Sequence, residues 1–302
     1  MLKEISKTIE DYLDRKCVQK YIFMSLAIVS LVIIVWASGS SAISGDEHKY
    51  IRQAEKVYNY FSSDREDKSA IEQVGIDPEH YNSQSFDVIL YAFQKWFNIE
   101  DTFAFRHAMN AITGWLLILF AALIAVDLGG YRAGIFTLLL LLATPRLIGH
   151  SFNNHRDIPL ALSFVFTIYI VNKFIKSYPK ISIKYIILLA LGIASAYSLR
   201  LAGGVLLSAF VAFFIVINHY TTLPFRKYFT KYSLKSVVKL TFTALLTIVT
   251  GFFLGILIWP FGLEAPLKNS LTVFKASSDL EVYLFQLFEG QNIRSDTIPW
   301  YY

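Results

Sequence analysis

Gly149-His150-Ser151-Phe152-Asn153-Asn154-His155-Arg156-Asp157-Ile158-Pro159 is the stretch that decides how this chain is read. Almost pure hydrocarbon flanks it: ILFAALIAV and TLLLLLATP come before, LALSFVFTIYIV after. Histidines, asparagines, an arginine and an aspartate resist burial without partners. A connection this polar belongs at a surface, and its flanks do not belong in water.

The same alternation runs along the whole chain. Of 302 residues, 55% are hydrophobic, 16% aromatic and only 17% charged, and the mean hydropathy is +0.46. A water-soluble protein of this length carries more charge and interrupts its apolar runs more often. Here they extend for about 15 to 22 residues without a charge, the length a helix needs to cross ~30 Å of hydrocarbon. The sequence therefore predicts an all-α polytopic membrane protein with about seven transmembrane helices. They fall near 21–38, 108–126, 133–148, 158–172, 185–199, 201–217 and 240–263, with a polar turn at 127–132 between the second and third. No Asp, Glu, Lys or Arg lies in the middle of any of them. Ionisable groups inside a membrane mark ion or proton paths. Their absence argues against a proton-coupled pump and moves any chemistry to the rim.

The formal charge of +5 does not call for nucleic acid. Lysine and arginine beside membrane spans gather on the cytoplasmic side and face anionic lipid. Lys3, Lys7, Arg15, Lys16 and Lys20 precede the first span. Lys173, Lys176, Lys180 and Lys184 follow the fourth, and Arg226, Lys227, Lys231, Lys235 and Lys239 follow the sixth. With seven spans these clusters share the cytoplasmic side. Segment 1–20 is then a cytoplasmic extension, and the first span is a retained anchor, too long and bulky for a removable signal. Loop 39–106, the opening stretch, the turn at Arg200 and the tail 264–302 share the outer side. Arg146 and Arg156 are basic yet outside, which suggests use rather than topology. Cys17 has no internal disulfide partner and no metal-ligand neighbour.

Loop 39–106 has structure of its own. Tyr50, Ile51, Ala54, Val57, Tyr58 and Phe61 recur at helical spacing, as do Phe86, Ile89, Leu90, Phe93, Trp96 and Phe97. Two amphipathic interfacial helices follow, separated by a polar stretch at 62–85. They either pack on the mouth of the bundle, or wall a site there, or both.

Three polar outer sites carry candidate chemistry. One is Asp46, Glu47, His48 and Tyr50; the second holds His150, Asn153, Asn154, His155, Arg156 and Asp157; the third is Arg200. Each also has a plain reading. Acids favour helix N-termini, which covers Asp46, Glu47 and Asp157. The histidines serve as ordinary loop residues, and Arg200 as a lipid-facing arginine. Yet all three sites fall on one face. A carboxylate beside an acceptor hydroxyl acts as a general base, and arginine matches phosphate oxygens with a bidentate fork. Together they suit attack on a sugar whose leaving group is a lipid-linked phosphate.

Asp46-Glu47 with Tyr50 after a first span, two interfacial helices, and the later Asn-His-Arg-Asp-Ile-Pro loop resemble the GT-C glycosyltransferases. The nearest branch holds the protein O-mannosyltransferases and the bacterial lipid A aminoarabinose transferases. The resemblance covers most of the chain. It implies a polytopic enzyme of a bacterial inner membrane, with its site facing outward, that uses a polyprenyl-phosphate sugar and inverts the anomeric carbon. The acceptor would be a lipid, a glycan or a protein. Asp46 would be the base or an acceptor-orienting residue, Asp157 a supporting catalytic acid or metal-side group, and Glu47, Tyr50, His150, Asn154, Arg156 and Arg200 would bind substrate. The metal requirement stays open, with Asp46, His48 and His150 as candidate ligands for a divalent ion. The ending GQNIRSDTIPWYY resembles a segment that precedes further spans in such enzymes, and so implies a longer full-length protein; Trp300, Tyr301 and Tyr302 also suit an interfacial aromatic belt. Two other functions compete: a transporter or flippase for lipid-linked glycans, and a non-catalytic membrane protein of envelope assembly.

Overall fold

A computed structural model describes residues 16–72, 81, 83–177, 182–222, 231–278 and 285–300. Predictions for residues 1–15, 73–80, Lys180, Arg226, Lys227, Tyr301 and Tyr302 lie outside the described residues. The chain forms α1 (Lys16–Ser38), α2 (Glu47–Ser62), α3 (Ser85–Phe97), α4 (Thr102–Leu142), α5 (Pro145–Asn153), α6 (Asp157–Ser177) and α7 (Ile183–Leu199). Then come α8 (Leu201–Thr222), α9 (Lys231–Gly255), a 3-10 turn (Ile256–Ile258), α10 (Pro260–Glu264) and α11 (Pro266–Ser278). Among the described residues, 4 helices are long and apolar enough to cross a membrane, at Lys16–Ser38, Thr102–Leu142, Asp157–Ser177 and Val238–Ile258. Ile183–Leu199 and Leu201–Ile217 are shorter apolar helices. Their outward faces carry exposed Val32, Phe136, Leu140, Phe213 and Phe242, which hydrocarbon accepts and water does not. The protein is a helical membrane protein.

The 41-residue helix α4 is two arms, not one rod. Gly130 stands at φ 78 and ψ −178, outside any helix. A Cβ at Gly134 would meet Val126 Cγ2 at 2.3 Å and the Ala122 carbonyl oxygen at 3.2 Å, so the chain has folded back on itself. That φ/ψ region is open essentially to glycine alone. Gly130→Ala is therefore expected to cost about 1–3 kcal/mol, read as a lower unfolding temperature of the detergent-solubilised protein; an unchanged temperature would refute the tight reversal.

X-Pro steps cut the apolar runs where periodicity alone did not. The predicted third span, 133–148, breaks after Leu142. Pro145 has no N–H to continue the ladder, and it drives Thr144 into extended backbone at ψ 100. The predicted seventh span, ending at 263, stops instead at the 3-10 turn, because Trp259 before Pro260 is extended at ψ 96. Pro159 does no such damage, since it lies in the first turn of α6. The all-α expectation needs one correction. β1 (Phe285–Phe288) and β2 (Gln291–Arg294) pair antiparallel, Phe285 opposite Arg294. Glu289 and Gly290, both at positive φ, make their two-residue turn.

Two interior clusters join the bundle. Phe23, Ala27 and Ile34 of α1 pack on Ala111, Ile118, Ala122 and Leu138 of α4. There Trp115 Nε1 donates to the Ala27 carbonyl at 2.9 Å. Ile170, Phe174, Leu189, Ile193, Leu207 and Leu240 knit α6 to α9.

Contacts define two ends. At one, Lys173 Nζ donates to Asp127 at 2.8 Å, and Phe23 meets Tyr131 with ring centroids 5.9 Å apart. The start of α1, the α4 reversal and the end of α6 therefore lie together, and bring Lys16, Lys20, Lys173 and Lys176 to one rim. At the other end α2 and α3 form a platform around Ala54, Val57, Tyr60, Val88 and Tyr91. Ser85 Oγ donates to Ser198 Oγ at 2.6 Å and Ser83 Oγ to the Tyr197 carbonyl at 3.2 Å, which moors the platform to α7. The predicted stripe on α3 splits: Ile89, Phe93, Trp96 and Phe97 are exposed, whereas Leu90 is buried on the side of Asp87, Tyr91 and Gln94, and Phe86 packs on His155.

Candidate functional site

All three predicted polar sites converge on the platform end. Asp46 is the N-cap of α2, but its side chain makes no capping bond. Glu47, the first residue of the helix, instead reaches back to the preceding turn: its Oε1 accepts from the Ser44 N–H at 2.6 Å. Asp46 is thus left exposed, with Oδ2 3.4 Å from the Tyr50 hydroxyl one turn on. Burial raises the Tyr50 phenol above its ordinary pKa; the Arg156 guanidinium opposes the rise, and the Asp46 charge and hydrogen bond add to it. Tyr50 so keeps its proton at neutral pH and donates it to Asp46.

Arg156 joins the first site to the second. Its guanidinium lies over the Tyr50 ring, 4.1 Å from the centroid, a cation–π contact. Asn153 Nδ2 donates to the Ala42 carbonyl at 3.2 Å, which fixes the loop beside the end of α1. Only Asn154, His155 and Arg156 of the opening stretch are non-helical; α5 covers the preceding residues and α6 the following ones. Asn154 shapes the start of α6: its Oδ1 accepts from the Asp157 N–H at 2.9 Å, and its Nδ2 donates to Asp157 Oδ2 at 3.0 Å. His150 Nδ1 is 3.1 Å from the same Asn154 Nδ2.

The third site closes on the second. Arg200 Nη2 lies 3.0 Å from Asp157 Oδ1, and both side chains are about half exposed. Asp46, Tyr50, Arg156, Asp157 and Arg200 thus form a chain of charge along one rim. Beside it, a groove of about 360 Å³ runs between α3, α7 and α9, lined by Phe86, Ile89, Pro159, Leu191, Leu199 and Leu254. Two of its lining residues, Pro159 and Leu199, stand close in sequence to Asp157 and Arg200.

Some expected roles change. Glu47, expected to bind substrate, is fully buried, with Oε2 3.0 Å from His107 Nε2; it is a positioning group. Asn154 is engaged in capping α6. The candidate metal ligands do not gather. Among the described residues no group of three His, Cys, Asp or Glu side chains could hold an ion. His48 packs edge-on against Phe103 at 5.2 Å, while His150 turns to Asn154. These donors do not make a metal centre.

Beneath the rim is a layer of which the sequence reading named only His155. Arg106 and Asp87 form a buried ion pair. His155 is fully buried between Phe86 and His107, with centroids 6.0 and 6.3 Å away. Asn110 Nδ2 donates to the His150 and Ser151 carbonyls, both at 3.1 Å, holding α5 on α4. A Cβ at Gly114 would fall 2.2 Å from Ser151 Oγ, so glycine permits that approach. The available signal was the polar run Arg106, His107 and Asn110 at the mouth of an apolar span, and Asp87 on a helix otherwise read from its greasy face.

This layer predicts opposed pH effects. Burial pushes the Asp87 carboxyl up to about 6, against the pull of Arg106 and Arg156. The folded state therefore binds the extra proton between about 3.8 and about 6, and Asp87 favours folding less as pH rises through that window. His155 runs the other way. Burial, reinforced by Arg106 and His107, lowers its imidazole to about 3, only partly offset by backbone oxygens of Arg106 and Asn153. The unfolded chain takes up that proton first, so stability falls as pH drops below 6.5, by about 1.4 kcal/mol per pH unit. Going from pH 7 to 5, wild type is expected to lose more thermal stability than His155→Phe, which keeps the ring packing and removes the titration. Equal losses in both proteins would exclude His155 as the source.

No protein-family model, curated protein or solved structure matches the chain.

Proposed function

We propose that this protein is a membrane glycosyltransferase that moves a sugar from a polyprenyl-phosphate donor to an acceptor at the platform end, of the kind the GT-C enzymes carry out. The observation that carries the reading is the convergence of Asp46, Tyr50 and Arg156 with the Asp157–Arg200 pair beside an apolar groove. A prenyl chain fits a slot lined by Ile89, Pro159, Leu191 and Leu254, and its phosphate would then reach Arg200 and Arg156. Counting the two arms of α4 separately, the apolar segments number about seven, and the lysine-rich rim faces the cytoplasm. The platform then faces outward, as at a bacterial inner membrane.

In the step itself the acceptor oxygen attacks the anomeric carbon and its proton passes to Asp46. The bond between that carbon and the phosphate oxygen breaks with its electron pair, and the phosphate leaves as an anion. Arg156 and Arg200 stabilise that charge, an electrostatic task. Attack from the far side inverts the carbon. Asp157 holds Arg200 in place until the donor arrives, then gives it up. No metal enters.

The test incubates membranes containing the protein with a panel of radiolabelled polyprenyl-phosphate sugars. Label moving from one donor into a new product is expected. Donor uptake or flipping without transfer would favour a flippase instead.

A further inference from the structure

Buried polar atoms without a partner are concentrated in one place. Among the described residues eleven buried side-chain nitrogens and oxygens have no hydrogen-bond partner, and ten of them belong to Gln84, Asp87, Arg106, Asn110, His155 and Arg156. The first five of these residues are at most 1% exposed. All six are neighbours. Arg106 pairs with Asp87. The Asp87 carboxyl also feels the Arg156 charge, and His155 feels that of Arg106. Gln84 immediately precedes α3, whose first turn carries Asp87, and Asn110 lies one turn beyond Arg106 on α4. The His155 nitrogens come near the Arg106 and Asn153 carbonyls but make a well-formed bond to neither. One unpaired polar atom in an interior is costly, and ten together call for an occupant. The mixture of atoms identifies it. Arg106 Nε and Nη1 and Arg156 Nε and Nη2 donate, whereas Asp87 Oδ2, Asn110 Oδ1 and Gln84 Oε1 accept. An anion would face three oxygens, and a cation two guanidiniums. Water both donates and accepts, and it settles where an interior offers it several polar partners.

We propose that a cluster of internal waters fills this layer and bridges Asp87 to Arg156, which makes Asp87 a positioning residue for Arg156. Asp87 Oδ1 is taken by Arg106, while Oδ2 is buried and unpartnered. Nε and Nη2 form one edge of the Arg156 guanidinium, and that edge is buried although the residue as a whole is partly exposed. Water between this oxygen and that edge anchors the guanidinium, from below, over the Tyr50 ring. The rim then carries a cation whose place is set from the interior. A few fixed waters supply hydrogen bonds but not the dielectric response of bulk solvent, so the Arg106–Asp87 pair still behaves as buried charge. The positioning role rests on the transferase reading above; the water site does not.

The water site is tested on the wild-type protein in detergent. Hydroxyl radicals made in place by X-ray pulses oxidise buried side chains that touch bound water, and mass spectrometry locates them. His155 is expected to be oxidised at least tenfold faster than Trp259, which is similarly buried but lies in an apolar cluster. A rate no higher than that of Trp259 overturns the proposal. A melting temperature that rises with chloride at constant ionic strength puts an anion between the arginines and overturns it as well. The positioning role is tested by a double-mutant cycle in the radiolabel assay. Arg156→Gln is expected to slow transfer about 10²-fold in wild type, but about threefold or less where Asp87→Leu and Arg106→Met are already present, an apolar pair chosen to keep the fold. Asp87→Asn, which keeps the shape and removes the charge, provides the same cycle if that pair does not fold. An equal cost of Arg156→Gln in both backgrounds leaves Asp87 a structural role only and overturns the positioning. Oxidation of His155 without transfer from any donor overturns the transferase reading, and the positioning role with it, while the water site stands.

Discussion

Asp46→Asn is expected to reduce sugar transfer by about 10² to 10⁴-fold, the range removed with a positioned general base. The substitution keeps the size and the hydrogen bond to Tyr50 but removes the ability to take a proton. Asp46 is exposed and its side chain makes no capping bond to α2. Insertion and unfolding temperature should therefore match wild type. The measurement is initial rate of label transfer at saturating donor, alongside a thermal melt of the same preparation. Activity within a factor of a few of wild type would remove Asp46 from the mechanism.

The largest stability effect is expected beneath the rim. Asp87→Ala leaves the Arg106 guanidinium, wholly buried, without its counter-charge. Breaking one partner of a buried ion pair costs about 3–5 kcal/mol. The damage should not stop at α3. Arg106 sits beside His107, which holds Glu47, which holds the turn that presents Asp46. The double variant Asp87→Leu with Arg106→Met is expected to recover most of the loss, since an apolar pair of similar volume is often as stable as a buried ion pair. Thermal unfolding of both variants in detergent checks this. A single variant as stable as wild type would show that water already reaches Arg106.

Much of this architecture was legible in composition. Long uncharged runs declare a membrane helix with little ambiguity, and the reversal near 127–132 declares itself through Asp127, Gly129, Gly130 and Arg132. Proline was the weaker signal. Pro145 and Pro260 lie within hydropathy peaks, and averaging along the chain hides a single missing N–H. At the rim, Asp46, Arg156, Asp157 and Arg200 were found because charge is conspicuous beside hydrocarbon. Asp87 and Arg106 were not, because each looks like a surface residue until its partner, 19 positions away, is known. The α3 stripe misled in a related way. In a membrane protein the greasy face of an interfacial helix turns to lipid, and the polar face turns inward. Side-chain polarity alone does not tell a solvated face from a face that packs on buried charge. The β-hairpin left only Glu289-Gly290 as a cue, a turn pair too common to stand alone.

The platform has a tie that bears on biogenesis. Glu264 accepts from Tyr60 and from Lys68, across 204 and 196 positions of sequence. Helix α2 leaves the ribosome early, yet this anchor is synthesised only after the apolar helices among the described residues have been made. During insertion the nascent rim waits, half-moored, for a latch made 196 to 204 positions later. Nonsense codons between residues 258 and 264 would thus release products whose described apolar helices are complete and whose outer shelf is still unfastened, a substrate for quality-control proteases.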